Sequence, residues 1–297
     1  MPTRVSASAE NTARIQEATT FLFVPGNRAD RFAKARLAAP DVVVLDLEDA
    51  VARKDKATAR TEVARWLSDG GRACVRVNYV NDIEHAADVD ALRGLPGLAA
   101  VMIPKADAAV EYREIRRALG CPVIALIESA AGLDSARTIA ADPGVARLAF
   151  GHLDYALDIG AEPTHSAMLH ARSQLVLASR VATKPGPVDG VTTTLDDVVT
   201  LGEDLRHGIE IGMAGKLLIH PLQVAASRAA FQPSDSAVAN ALDVVAAAAT
   251  ASGAAVRLHG RMVDAPVLAR AYATLRAAGI PTGEVDCRTL DRQTSTQ

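Results

Sequence analysis

Short, continuous apolar runs rich in Val, Ile and Leu recur along the first three quarters of the chain. They fall at Phe21–Val24, Val42–Leu47, Ala73–Val77, Ala99–Ile103, Val123–Ile127 and Arg147–Phe150, with two weaker ones at Pro187–Val191 and Lys216–Ile219. Unbroken apolar runs of this length suit strands covered on both faces, as in a parallel sheet, better than half-exposed strands, which alternate. Between them lie segments with helical spacing and good helix formers, among them Ala29–Leu37, Lys56–Leu67, Val110–Leu119, Ser129–Ala140 and Leu195–Ile211. Eight such alternations point to an α/β fold, a (β/α)₈ TIM barrel over residues 19–231. An open doubly wound sheet has the same alternation, but no Gly-x-Gly-x-x-Gly follows the first run.

A break at Gln232–Pro233 precedes a helical stretch through Ala237–Ala251, a segment punctuated by Gly253 and Gly260, and a last helix near Pro266. Residues 232–287 exceed what a barrel needs and are expected to form a C-terminal helical lid or oligomerisation segment. Residues 1–18 are polar without an apolar core segment, so a flexible N-terminal arm is expected there rather than a secretory signal; residues 288–297 read as a disordered tail. Hydrophobic residues make up 49% and charged residues 23%, with a net charge of −3. That balance excludes the basic face a nucleic-acid partner requires. No apolar run approaches the ~20 residues of a membrane-spanning helix, so a cytoplasmic enzyme with small-molecule partners is the expectation. The three cysteines, Cys74, Cys121 and Cys287, are widely spaced and form neither a metal-ligand pair nor a disulfide framework.

Charged and polar residues cluster at the carboxyl ends of the expected strands: Asp46, Glu48 and Asp49; Arg76 and Asn78; Lys105; Glu128; His152 and Asp154; His220. In a barrel these ends converge on the face that carries active sites. Glu128 and Asp154 are hard oxygen donors without Cys or paired His nearby, a set that suits octahedral Mg²⁺ with positions left for water and substrate. Asp158, one turn further, is a second candidate ligand. The same two residues could instead cap the helices that follow them. Arg76 interrupts an apolar strand and must meet a carboxylate, either of the protein (Glu48 is one candidate) or of a ligand. Asp46, Glu48 and Asp49 crowd like charges that a metal or an arginine would relieve, unless they form a solvated loop. Asp264, just before Ala265-Pro266, reads as a helix N-cap. His165, His170 and His207 fall on helical segments, as surface or packing residues.

Taken together, the strings Leu22-Phe23-Val24-Pro25-Gly26-Asn27-Arg28, Asp46-Leu47-Glu48-Asp49-Ala50-Val51, Val75-Arg76-Val77-Asn78, Ile103-Pro104-Lys105, Ala125-Leu126-Ile127-Glu128-Ser129-Ala130-Ala131-Gly132, Gly215-Lys216 with Ile219-His220-Pro221, and Gly260 through Pro266 resemble the citrate lyase β-subunit and malyl-CoA lyase family of the HpcH/HpaI aldolase superfamily. The resemblance spans residues 20–280. It implies a homotrimer or a dimer of trimers and a carbon–carbon lyase that splits a short β-hydroxyacyl-CoA, citramalyl-CoA or malyl-CoA, into acetyl-CoA and a 2-oxo acid. It implies Mg²⁺ (or Mn²⁺) on Glu128 and Asp154, Arg76 as a catalytic and carboxylate-binding residue, and CoA contacts from Phe23, Arg28 and Lys34. Asp264 would be an acid/base from a neighbouring subunit's lid. Glu48, Asp49 or a metal-bound water would serve as base for the substrate hydroxyl. A citryl lyase subunit acting on a carrier protein, a metal-dependent aldolase without CoA, and a catalytically silent scaffold are the other readings. Two departures stand out: Thr19 and Thr20 occupy the place of a usual Arg–Ser pair, and Gly151-His152-Leu153-Asp154 replaces the frequent Gly-x-Glu-Asp.

Overall fold

The computed structural model describes residues 4–250 and 255–281. Eight parallel strands close into a barrel in the order β1 to β8, with β1 pairing β8. They are β1 (Thr20–Pro25), β2 (Val42–Asp46), β3 (Ala73–Arg76), β4 (Leu98–Ile103), β5 (Val123–Ile127), β6 (Val145–Phe150), β7 (Val188–Asp189) and β8 (Gly215–Leu218). Strands β2, β5 and β6 are buried at every position, as their unbroken apolar runs require. Alternate residues separate two cores. Phe21, Val44, Ala100, Met102, Ile124 and Leu217 pack inside the barrel. Leu22, Leu45, Val75, Val101, Ala125 and Leu148 face outward against the helices.

Helices occupy most of the expected segments. The stretch Ser129–Ala140 is two short helices, Ala130–Asp134 and Ala136–Ala141, meeting at Ser135. The helix expected from Leu195 begins at Val198, because the Asp197 carboxylate accepts from the Val199 and Thr200 amides and fixes its start.

The N-terminal arm is a correction. Residues Arg4–Glu17 form a helix, with Asn11 and Ile15 buried. Its few apolar residues gave no amphipathic signal. What holds its end is a side chain from β6: Arg147, 1% exposed, donates to the carbonyls of Ile15 (3.0 Å), Ala18, Gly186 (2.9 Å) and Ala214 (2.7 Å), and its guanidinium lies over the Phe21 ring at 5.6 Å. A cation on carbonyls at and just beyond a helix C-terminus is favourably placed in the helix dipole. Thr19 and Thr20 lie at this same end. Their amides and hydroxyls converge on Asp41 Oδ2 at 2.8–3.0 Å. The position of the missing Arg–Ser pair is thus at the start of β1, the end opposite the strand carboxyl termini.

The chain divides into two compact units, Met1–Phe231 and Gln232–Gln297. In the second, helix Asp235–Thr250, an antiparallel pair β9 (Val256–Leu258) and β10 (Arg261–Val263), and helix Ala265–Ala277 enclose a small core of Ala241, Val244, Val263, Ala271 and Leu275. His259 and Gly260, both at positive φ (47° and 79°), make the tight turn between β9 and β10. The expected tail at 288–297 and Cys287 lie outside the described residues. Among the described residues no helix is long and apolar enough to cross a membrane.

Candidate active site

The carboxyl ends of the strands surround a cavity of about 380 Å³ at the barrel mouth. Phe23, Asp46, Asp49, Arg76, Glu128 and Asp154 line it, so the convergence expected of a barrel brings most of the candidate residues together.

Arg76 closes β3 and is fixed by a fork-to-fork pair with Asp46, Nε to Oδ1 at 2.8 Å and Nη2 to Oδ2 at 2.6 Å. Its remaining nitrogen lies 3.2 Å from Glu48 and 3.5 Å from Asp49. The guanidinium stacks 4.9 Å from the centre of the Phe23 ring. The Arg76–Phe23 stack and the acidic loop thus make one assembly, and the principal partner of Arg76 is Asp46. Burial works against charging Asp46, but the charge and hydrogen bonds of Arg76 outweigh it and hold the carboxyl below its ordinary value. Burial also opposes the charge on Arg76; the three carboxylates more than compensate and raise its pKa.

The loop that carries these acids is braced from behind by Lys56. Its Nζ donates to the carbonyls of Leu47 (2.8 Å) and Glu48 (3.0 Å) and to Asn78 Oδ1 (2.6 Å). Asn78 in turn binds Asp88, which Arg60 neutralises. Lys56 lies on a helix and carried no sign in the sequence beyond its charge, since its targets are mostly backbone carbonyls.

Glu128 follows β5 and is 3% exposed. The helix after it is capped by Ser129, whose hydroxyl accepts from the Gly132 amide at 3.1 Å. This settles the capping alternative: Glu128 is left for the cavity. Its Oε1 accepts from the Lys105 amide at 2.7 Å, while Oε2 is buried with no hydrogen-bond partner among the described residues. Lys105 has φ +48°, an uncommon conformation for a residue with a side chain. The bend aims its amide at Glu128 and its ammonium at Glu48 Oε1, 2.6 Å away. Gly151 makes room for this carboxylate, because a Cβ there would sit 2.6 Å from Glu128 Oε2. Burial, with the charges of Glu48 and Asp154, pushes the Glu128 carboxyl up to about 8. Burial likewise raises Glu48, although Arg76 and Lys105 oppose it, and burial with the Asp49 charge raises Asp154.

An orphaned carboxylate oxygen, two neighbouring acids and oxygen-only donors fit a hard divalent cation. Among the described residues no group of three His, Cys, Asp or Glu side chains is arranged to enclose a metal. A hard cation held by Glu128 and Asp154 would fill the rest of its shell with water or substrate oxygens. Asp158 is not part of this set: its Oδ2 accepts from the Ala130 amide at 2.7 Å.

The other candidates are placed differently. His152, on the cavity wall, is 7% exposed, and burial pulls its pKa down to about 4, so it is neutral. His220 turns onto the Leu222 amide at 3.3 Å. Arg28, half-buried at the N-cap of the helix Ala29–Leu37, pairs with Asp30 at 2.8–2.9 Å, and Lys34 is exposed on that helix. Neither lines the cavity, whereas Arg31 does. Sequence reading passed over Arg31 because it is one of several basic residues on an exposed helix. In the second unit, Asp264 caps helix Ala265–Ala277 as expected, accepting from the Val267 amide at 3.2 Å.

Comparison with known proteins agrees with this architecture. A "Citrate lyase subunit beta-like protein" of Deinococcus radiodurans is 40% identical over 272 residues, covering 86% of this chain and 95% of that protein. An "L-malyl-CoA/beta-methylmalyl-CoA lyase" of Cereibacter sphaeroides is 34% identical over 297 residues, covering 86% and 93%. The crystal structure of CitE from Mycobacterium tuberculosis, in complex with magnesium, acetoacetate and coenzyme A, superposes with a TM-score of 0.79 at 35% identity, covering 89% of this chain and 99% of that one. Residues 19–221 match the model of the HpcH/HpaI aldolase/citrate lyase family. The barrel, the strand-end acids and these matches together place this chain in the HpcH/HpaI aldolase/citrate lyase family.

Proposed function

We propose that the chain is a Mg²⁺-dependent carbon–carbon lyase that cleaves a short β-hydroxyacyl-CoA to acetyl-CoA and a 2-oxo acid. The observation that carries the reading is the orphaned Oε2 of buried Glu128, in one cavity with Asp154 and opposite the rigidly held Arg76. The magnesium in the related CitE complex and the CoA esters in the relatives' names support it.

Cleavage of such a thioester removes the hydroxyl proton and leaves negative charge on the thioester oxygen. A divalent ion held by Glu128 and Asp154 would supply Lewis-acid polarisation and orient the oxo-acid end. Arg76 offers the developing charge a donor whose position is already fixed by Asp46 and Phe23, so little reorganisation is needed during reaction. Glu48 has a raised pKa and hydrogen bonds to Lys105, properties of a group that accepts the hydroxyl proton and passes it on. Asp264, contributed by another copy in a homo-oligomer, would then protonate the α-carbon of the enolate left by cleavage, giving the methyl group of acetyl-CoA. Phe23 on β1, Arg28 at the N-cap of the next helix, and Arg31 and Lys34 on that helix offer aromatic and cationic surface for the CoA moiety.

The test is acetyl-CoA release from citramalyl-CoA and malyl-CoA, with Mg²⁺ and with EDTA. Metal-dependent cleavage of either supports the reading; silence on both transfers it to a carrier-bound acyl group or to an aldolase without CoA. Asp264→Asn separates capping from catalysis, because Asn caps as well as Asp. Its helix is expected to stay folded while kcat falls about 10²–10⁴-fold.

A further inference from the structure

Both sides of the mouth cavity mix polar and apolar residues, with Phe23, Pro25 and Leu126 on the β1 and β5 side and His152 and Asp154 after β6. The strands β2, β3 and β5 supply Asp46, Arg76 and Glu128, whereas the β6–β8 sector supplies Leu153, Val191, Leu217 and Ile219. Two of these are large apolar side chains left open to solvent, Leu153 at 39% and Ile219 at 37%. Exposed leucine or isoleucine on the convex surface needs no explanation, but on a cavity wall it marks surface that a ligand covers. Leu153 and Asp154 are consecutive on the helix His152–Asp158, so the oxygen-binding and apolar faces of the cavity adjoin. Leu157, on the same helix, is 80% exposed and does not line the cavity.

We propose that Leu153, with Ile219 and Val191, makes an apolar wall that selects a substrate bearing an alkyl group on its hydroxyl-bearing carbon. The inference rests on the lyase reading and gives its substrate class: the 2-oxo acid released is a ketone such as pyruvate rather than the aldehyde glyoxylate. A substrate with hydrogen at that carbon leaves the wall in contact with water. One with a methyl group there displaces that water and gains dispersion contacts. Discrimination by one methyl group in an apolar pocket is of the order of tenfold or more.

The experiment compares kcat/KM for citramalyl-CoA (methyl on the hydroxyl carbon), malyl-CoA (hydrogen) and β-methylmalyl-CoA (methyl on the neighbouring acyl carbon). The expected result is a preference for citramalyl-CoA over both others of about tenfold or more. Leu153→Ala is expected to reduce that preference several-fold, chiefly through KM, and Leu157→Ala to leave it unchanged. Equal or reversed preference in the wild-type protein, preference for β-methylmalyl-CoA, or an unaltered ratio in Leu153→Ala would each overturn the proposal. Should no thioester be cleaved, the lyase reading fails, and calorimetry with pyruvate and with glyoxylate in the presence of Mg²⁺ still decides on the wall. Tighter binding of pyruvate, lost in Leu153→Ala, supports it; equal binding of the two acids or no loss in the variant sinks it.

Discussion

Two arginines lie in barrel strands, at opposite ends, Arg147 buried and Arg76 half-buried, and their surroundings differ in kind. Arg76, at the carboxyl end of β3, meets Asp46, Glu48 and Asp49 and stacks on Phe23. Arg147, near the amino end of β6, meets backbone carbonyls alone among its hydrogen-bond acceptors and stacks on Phe21. The carboxylates raise the pKa of Arg76, and burial lowers that of Arg147. At the mouth, charge is concentrated with one carboxylate oxygen of Glu128 left unmatched, as a site that binds and reacts requires. At the base, one cation closes the barrel by satisfying carbonyls that a helix end and three loops leave over. Stability belongs to one end and chemistry to the other.

The largest expected effect comes from Arg76→Ala. Loss of a fixed donor at the developing charge should lower kcat about 10²–10³-fold. It also leaves Asp46 buried without its counter-charge, at a cost of about 3–5 kcal/mol. Kinetics and urea unfolding of one preparation read both, and a variant with near-normal kcat would remove Arg76 from the site. Arg147→Met leaves buried carbonyls without donors, so unfolding free energy should fall by about 1–3 kcal/mol. The folded fraction is expected to keep its wild-type kcat; a proportionate loss would show that the two ends are not independent.

Titration sharpens the contrast further. Asp46 has a pKa below its ordinary value, so the stability it contributes is complete above about pH 4 and is lost as pH falls. Asp46→Asn should flatten this acid limb in urea unfolding between about pH 5 and 2.5, and an unchanged limb would contradict the pairing. The smallest signal concerns protons. With Glu128 pushed up to about 8, metal-free protein at pH 7 holds its proton, and Mg²⁺ binding should release up to about one proton per ion. Calorimetry in buffers of different ionisation enthalpy measures that release, and Glu128→Gln should abolish it.

Much of this was legible beforehand. Six apolar runs marked β1 to β6 and two weaker ones marked β7 and β8, and acids at or after the ends of β2, β5 and β6 marked the mouth, because burial on both strand faces and convergence of strand ends are consequences of closing a barrel. The cap at Asp264 was legible because its side-chain oxygen acts on an amide three residues away; the caps at Asp197 and Ser129 use the same local chemistry but emerge only in the structure.

What sequence could not supply is the choice among distant partners. That Arg76 takes Asp46 rather than Glu48 first, that Lys56 braces the acidic loop from behind, and that Lys105 bends to serve two carboxylates are matters of which groups meet across separate strands and helices. The helix at residues 4–17 offers the sequence little apolar pattern, because what holds it are distant partners: Ile15 in the barrel core, Asn11 on the Leu98 carbonyl and Arg147 on the Ile15 carbonyl. The sequence by itself determined the alternation of elements and the residue types at the strand ends, since those depend on local propensity and burial period. Tertiary structure alone decided which charges are paired and which carboxylate oxygens, that of Glu128 among them, are left without a hydrogen bond among the described residues, because pairing follows from distances that exist only once the barrel has closed.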